Sequence, residues 1–243
     1  MQNNQIKLLQ TRLPRGGPFD TERLSDLGIS IALAHRYVKS GWLDRLGCGV
    51  FMFPGDSLTR DASLLFLQKK ISGLHVAAKT ALAWHGFRHN VAHEEPMILW
   101  GDATTTLPEW FIKRFAARCS TSHLFDDDLP KAYGISPLPD YPDGPRVSEP
   151  ERALLEMLSE VGVHQEVDEA RHIMEGVRQL RTRNLMRLLA ACRMVKTVRL
   201  CVVWSEELGL PWAAKAREAA AGKIGTGRWV SRLKDGSTLI LKP

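Results

Sequence analysis

The sequence is poor in the features that announce several common classes of protein. It has four cysteines in 243 residues, Cys48, Cys119, Cys192 and Cys201, widely spaced, with no Cys-x-x-Cys and no histidine at zinc-finger distance. That excludes a disulfide scaffold and a zinc framework, and predicts reduced thiols packed as small apolar side chains. No apolar run approaches the roughly 20 residues that span a bilayer, and the opening MQNNQIKLLQTRLPRGG lacks the apolar core of a signal peptide. A cytoplasmic protein with no membrane partner is expected. Internal repeats are absent too. Gly222-Lys223-Ile224-Gly225-Thr226-Gly227-Arg228 is glycine-rich but has no Gly-Lys-Ser/Thr, so it predicts a flexible connection and no phosphate loop.

Acidic residues are missing from one long stretch. None lies between Glu175 and Glu206, where Arg178, Arg181, Arg183, Arg187, Arg193, Lys196 and Arg199 accumulate. The whole chain has 33 Lys+Arg against 27 Asp+Glu, a formal charge of +6, which favours a polyanionic partner. The excess sits at the two ends. Residues 1–57 carry 7 basic and 5 acidic side chains, 58–147 carry 10 of each, and 148–243 carry 16 and 12.

The 44% hydrophobic and 25% charged composition is that of a globular protein large enough for more than one domain. Six of the 13 prolines fall between Pro130 and Pro150, which predicts an extended strap over the surface of a second domain. Beyond it, Ser148-x-x-Glu151 has the form of a capping box opening a helix with the apolar stripe Ala153, Leu154, Met157, Leu158 and Val161. Trp229 to Leu233 and Thr238 to Leu241 predict a terminal hairpin.

The first 57 residues carry the clearest pattern. Helices are expected over 4–11, 21–27 and 30–40, followed by strands at 42–45 and 50–53 around Leu46-Gly47-Cys48-Gly49. Three helices and a hairpin is the order of a winged helix-turn-helix, with Gly28 at the turn. The overall expectation is α+β: a winged helix-turn-helix over 1–57, then a larger mixed α/β domain over 58–243. On the third helix Leu33, Ala34, Tyr37 and Val38 share a core face, leaving Ile31, Ala32, His35, Arg36 and Lys39 outside. Small residues at the start of such a helix permit approach to base edges, while longer cations reach guanine or phosphate. Arg36 is the expected base or near-base contact and Lys39 a phosphate contact. Ser30 and Thr21 are candidate phosphate donors at helix starts, Arg45 lies beside the hairpin tip, and His35 is a weaker candidate. A protein-binding role for the same unit stays open.

Arg178, Arg181, Arg183, Arg187, Arg193 and Arg199 form the second candidate surface. It is either a solvated helix face paired with neighbouring acids or a further contact for nucleic acid, with Leu185, Leu188 and Leu189 on its buried side. His85, His89 and His93 recur every four residues, a spacing at which helical imidazoles can share a metal. Gly86 and Asn90 argue that the helix ends near His85, so no metal and no cofactor are expected. The carboxylates Asp140, Asp143, Glu149 and Glu151 lack the companion Glu-x-Lys of a metal-dependent nuclease, and no catalytic set is predicted.

Several segments resemble one family. Gly28-Ile29-Ser30, the stretch Tyr37-Val38-Lys39-Ser40-Gly41-Trp42-Leu43 and the strand Gly49-Val50-Phe51-Met52-Phe53-Pro54-Gly55 look like the N-terminal winged helix of AbiEi-type antitoxins of type IV, abortive-infection toxin–antitoxin systems. His75-Val76-Ala77-Ala78-Lys79-Thr80-Ala81-Leu82-Ala83-Trp84-His85-Gly86-Phe87 resembles the family's following helix, and Ser148-Glu149-Pro150-Glu151-Arg152-Ala153-Leu154-Leu155-Glu156 its serine–proline–glutamate–arginine helix start. The resemblance implies a non-enzymatic autorepressor that binds operator DNA. It also implies a C-terminal domain that counteracts a cognate nucleotidyltransferase toxin, and the second basic surface is a candidate contact for the nucleic-acid substrate of such a toxin. Family wing tips are often basic, whereas this one has only Arg45. The alternatives are a metal-dependent nuclease or hydrolase with a winged-helix targeting domain, and a transcription regulator that acts alone.

Overall fold

The computed structural model describes residues 2–87, 95–103, 105–121, 123–225, 227–232, 236 and 238–241. The chain begins with helix α1 (Gln2–Arg12), strand β1 (Phe19–Asp20), helices α2 (Thr21–Asp26) and α3 (Ile31–Lys39), and the strands β2 (Asp44–Gly47) and β3 (Val50–Met52). Local chemistry accounts for these boundaries. Asp20 caps α2 by accepting from the Arg23 amide at 2.9 Å. α2 closes on Gly28, whose amide reaches the Ser25 carbonyl at 2.8 Å while the Ile29 amide reaches Leu24 at 3.0 Å. That closure requires a left-handed residue, and Gly28 has φ +76°. Ser30 then caps α3, accepting from the Leu33 amide at 3.2 Å.

The three strands form an antiparallel sheet in the order β1-β3-β2, with Phe19 opposite Phe51 and Arg45 also opposite Phe51 on the other side. β1 was absent from the sequence expectation because two residues carry no periodicity. Leu9, Leu13, Phe19, Leu24, Ile29, Ala34, Tyr37, Leu43, Phe51 and Phe53 make one buried apolar cluster. The α3 faces are divided as the spacing predicts: Ala34 and Tyr37 are buried, whereas Ile31, Ala32, His35, Arg36 and Lys39 are exposed.

A second and larger apolar cluster runs from Leu64 to Ala220. Its helices are α4 (Arg60–Lys70), α5 (Ala78–Trp84), α6 (Glu109–Arg114), α7 (Pro150–Glu160), α8 (Val167–Gly176), α9 (Thr182–Ala191), α10 (Val195–Glu207) and α11 (Ala213–Ala219). Its strands are β4 (His75–Val76), β5 (Met97–Trp100), β6 (Ala117–Ser120), β7 (Ile135–Ser136) and β8 (Val147–Ser148), arranged as a mixed sheet in the order β6-β5-β4-β8-β7. β5–β6 and β4–β8 are parallel, and the other two pairings antiparallel. The chain is thus α+β. The terminal hairpin forms from β9 (Trp229–Arg232) and β10 (Thr238–Leu241).

Two expectations change here. The proline-rich strap does not merely cross a surface: it supplies β7 and β8, and so becomes one edge of the sheet. Ser148 is not a helix cap. Glu149 occupies that position, Pro150 fills the first turn where its missing N–H costs nothing, and the Ser148 hydroxyl instead donates to Glu156 at 2.7 Å. α7 is the central helix, buried at every residue from Glu151 to Glu160 and packed on α5, α9 and α10. No helix among the described residues is long and apolar enough to cross a membrane.

The two clusters are tied together by charge and by an aromatic ring. Lys70 at the end of α4 pairs with Asp20 at 2.5 Å and Glu22 at 2.7 Å. Trp110 of α6 lies against the backbone of Gly47 at the end of β2, where an added Cβ would come within 3.3 Å of its ring.

Candidate nucleic-acid interface

The turn between α2 and α3 and the turn after α3 hold the exposed face of α3 rigidly. At its C-terminal end the Trp42 amide bonds Tyr37 at 2.8 Å and the Gly41 amide bonds Val38 at 3.1 Å, so the hairpin departs from the helix in a fixed direction. Tyr37 is 1% exposed and anchors the face from behind. In front stand Ile31 at 61% exposure and the small Ala32, followed by His35, Arg36 and Lys39. Among the described residues no ion pair reaches His35, Arg36 or Lys39. A ligand at this face would therefore meet cations that no ion pair to a described residue holds back. They sit in the last turns of the helix, where cations also favour the negative end of the dipole.

The other members of the predicted set are placed differently. Ser30 is exposed and its oxygen is engaged as the α3 cap, which leaves its hydroxyl proton able to donate outward. Thr21 stands at the start of α2, but that helix end is capped by the Asp20 carboxylate, and a phosphate there would face a fixed negative charge. Burial pushes the Asp20 carboxyl up. Its bonds from Lys70 and the Arg23 amide outweigh this and hold it below the usual range, so it stays ionised. Arg45 is exposed, with its Nε donating to the Gly47 carbonyl at 3.1 Å.

The six arginines of the acid-free stretch do not form one surface. Arg199 is 3% exposed and its Nε donates to the Ile224 carbonyl, so it is removed from any surface by packing of the chain entering the last hairpin. Lys196 turns inward as well, donating to the Ser159 and Val161 carbonyls at 2.7 and 3.0 Å. Arg181 binds both Glu149 at 2.6 Å and Glu151 at 3.0 Å, and Arg193 lies 3.7 Å from Asp126. Arg187 stacks over the Tyr133 ring at 4.5 Å. Only Arg178 and Arg183 are exposed without such an engagement among the described residues. The acids that neutralise the stretch come from the start of α7 and from Asp126, which are distant in sequence.

Those pairings also bear on the carboxylates considered for metal chemistry, since Glu149 and Glu151 are both bound by Arg181. Among the described residues no three metal-ligating side chains converge. His85 ends α5 and bonds the Ser148 carbonyl at 3.0 Å; His89 and His93 lie outside the described residues.

Sequence reasoning missed the most concentrated polar group of the fold. Glu156 is fully buried and its carboxylate meets His75 Nε2 at 3.1 Å, the Ala78 amide at 3.1 Å, the Ser148 hydroxyl at 2.7 Å and Arg152 Nε at 2.8 Å. Burial pushes this carboxyl up, but His75 and Arg152 together prevail and hold it at about 2. Arg152 reaches on to the Lys131 and Tyr133 carbonyls, tying the strap to α7. The available signal was Arg152 and Glu156 at four-residue spacing on an otherwise apolar helix.

Comparison with known proteins covers nearly the whole chain. Residues 2–93 match the profile of the N-terminal domain of the AbiEi antitoxin transcriptional regulators. Residues 94–240 match the profile described as transcriptional regulator, AbiEi antitoxin, type IV toxin–antitoxin system. No curated protein matches. Among solved structures, the RV2827C protein from Mycobacterium tuberculosis aligns with a TM-score of 0.60 at 17% identity, over 91% of this chain and 80% of that one. That likeness is one of fold.

Proposed function

We propose that this chain, which belongs to the AbiEi antitoxin and transcriptional regulator family of type IV toxin–antitoxin systems, represses its own operon by binding operator DNA through α3. The same protein then counteracts a nucleotidyltransferase toxin encoded beside it. Residues 1–57 act as a winged helix-turn-helix reading unit and residues 58–243 as the antitoxin unit. The observation that carries the DNA half is the exposed face of α3, where His35, Arg36 and Lys39 stand without ion pairs among the described residues on a helix fixed at both ends. With Ile31 and Ala32 at its tip, the helix enters a major groove about 12 Å wide by its N-terminal end. Arg36 reaches base edges or the adjoining backbone, and Lys39 and the Ser30 hydroxyl contact phosphate.

Fluorescence anisotropy with the region upstream of its own gene tests this. The protein prefers that region to unrelated duplex, and binding weakens steeply as salt rises because phosphate contacts release counterions. Arg36→Ala costs about 1–3 kcal/mol of operator affinity if the side chain reads a base. Lys39→Ala weakens all sequences alike and lowers the salt slope by about 0.9. Equal affinity for all duplexes, or full binding by the variant that carries both Arg36→Ala and Lys39→Ala, refutes the DNA half. Co-expression with the adjacent gene tests the antitoxin half: growth that is not restored refutes it.

A further inference from the structure

We infer that α6, an element of the second unit, continues the DNA-binding surface of the first beside the hairpin, with Arg114 as its phosphate contact. The hairpin tip Leu46-Gly47-Cys48-Gly49 has no charge, and β2 and β3 supply one cation, Arg45. β2 does not stand free in solvent: it packs on α6, with Trp110 against Gly47. Trp110 is itself held by Phe66 of α4 and Phe111, whose rings lie 6.2 and 5.9 Å away, edge-on. The side of the hairpin that reaches Gly47 is therefore a composite of β2 and α6. Arg114 follows Trp110 by four residues, which places it on the neighbouring turn of the same helical face. It is exposed and engages no ion pair among the described residues, whereas the adjacent Lys113 is paired with Glu109 at 2.6 Å.

The spacing suits a duplex. β2 leaves the last turn of α3 through Trp42 and Leu43, and its four residues span about 10 Å, the scale of one groove. With α3 in the major groove, Arg45 and Arg114 lie along the flanking phosphate backbone in the direction of the hairpin. The tight seat of Trp110 on Gly47 and the bridge from Lys70 to Asp20 and Glu22 keep α6 and the reading helix in one rigid arrangement. Contact by α6 consequently adds electrostatic affinity with no ordering cost of a free loop.

This inference rests on the DNA-binding proposal, and the test separates the two. Operator affinity of the full chain is measured across 50–300 mM salt for the unaltered protein and for Arg114→Ala, Arg114→Lys, Arg36→Ala and Lys215→Ala, the last being an exposed α11 residue paired with Glu218. The expected result for Arg114→Ala is a salt slope lower by about 0.9 and a loss of roughly threefold to tenfold in affinity, equal for operator and unrelated duplex. Arg114→Lys restores the slope and Lys215→Ala leaves it unchanged. If the unaltered protein shows no operator preference, or Arg36→Ala has no effect, the DNA-binding proposal falls. If those hold and Arg114→Ala keeps the full slope, this inference alone is overturned. Tighter binding by Arg114→Ala also overturns it, since it means that α6 obstructs the duplex.

Discussion

Replacing Glu156 by glutamine is the sharpest available perturbation of the fold. The carboxylate is fully buried and accepts from four donors, two of which belong to Arg152 and His75. An amide has the same shape but no charge, and its nitrogen cannot accept. The variant therefore leaves the Arg152 guanidinium buried without its counter-ion and sets at least one donor against the amide NH2. Breaking a buried pair by removing one partner costs about 3–5 kcal/mol. With the amide oxygen turned to His75 and Arg152, the Ala78 amide loses the acceptor that holds that residue at φ +50°, a conformation an L-residue enters at a cost of about 1–2 kcal/mol. For a chain of this size a loss of about 4 kcal/mol lowers Tm by roughly 8–16 °C. The pH dependence gives a second, independent number. The folded carboxyl is held at about 2 against an ordinary 4.5. A depressed carboxyl stabilises the folded state above its unfolded value and loses that stabilisation as pH falls through the folded one, so the contribution is about 3 kcal/mol at pH 7 and less than half of that at pH 3. Urea titrations followed by circular dichroism at pH 7 and pH 3 are the assay. The unaltered protein and the Glu156→Gln variant should differ by at least about 3 kcal/mol at pH 7, and the gap should narrow by about 2 kcal/mol at pH 3. A difference below about 1 kcal/mol at pH 7, or a gap independent of pH, refutes the account of the network.

Two further perturbations probe other parts of the second unit. The Trp212 indole is 3% exposed and donates to the Val177 carbonyl at 2.8 Å, so Trp212→Phe strands a buried acceptor and costs about 1–3 kcal/mol by the same urea assay; no change means that the bond contributes nothing net. Thiol labelling of the folded protein should be fastest at the exposed Cys48 and slower at the half-buried Cys119. Burial pushes Cys119 and Cys201 up and Cys192 to about 11, and the last two react only after denaturant is added; rapid native labelling of Cys201 refutes its place in the core.

Helix α3 was legible because its information is local. The cap at Ser30, the glycine at 28 and the 3.6-residue spacing of Leu33, Ala34, Tyr37 and Val38 each act over a few residues, so the exposed set follows from them directly. The terminal hairpin was legible on the same grounds. The pairing of the five-stranded sheet was not. All five of its strands are only two to four residues long, and they hold their place by pairing with segments up to about 70 residues away, as Val76 does with Val147, which leaves no periodic trace. Ser148 shows how local chemistry misleads: the capping-box pattern is present, but a buried carboxylate two turns along competes for the hydroxyl and prevails.

Charge divides in the same way. The sequence determined how many cations the chain has, which stretch has no acids, and which face of α3 bears Arg36 and Lys39, because these depend on composition and helical period alone. Whether a cation is available was decided by tertiary structure. Arg199 vanishes into the core, Arg181 is neutralised by Glu149 and Glu151, and Arg114, unremarkable in sequence, is exposed on α6 with no ion pair among the described residues, since ion pairing and burial depend on what folding brings near.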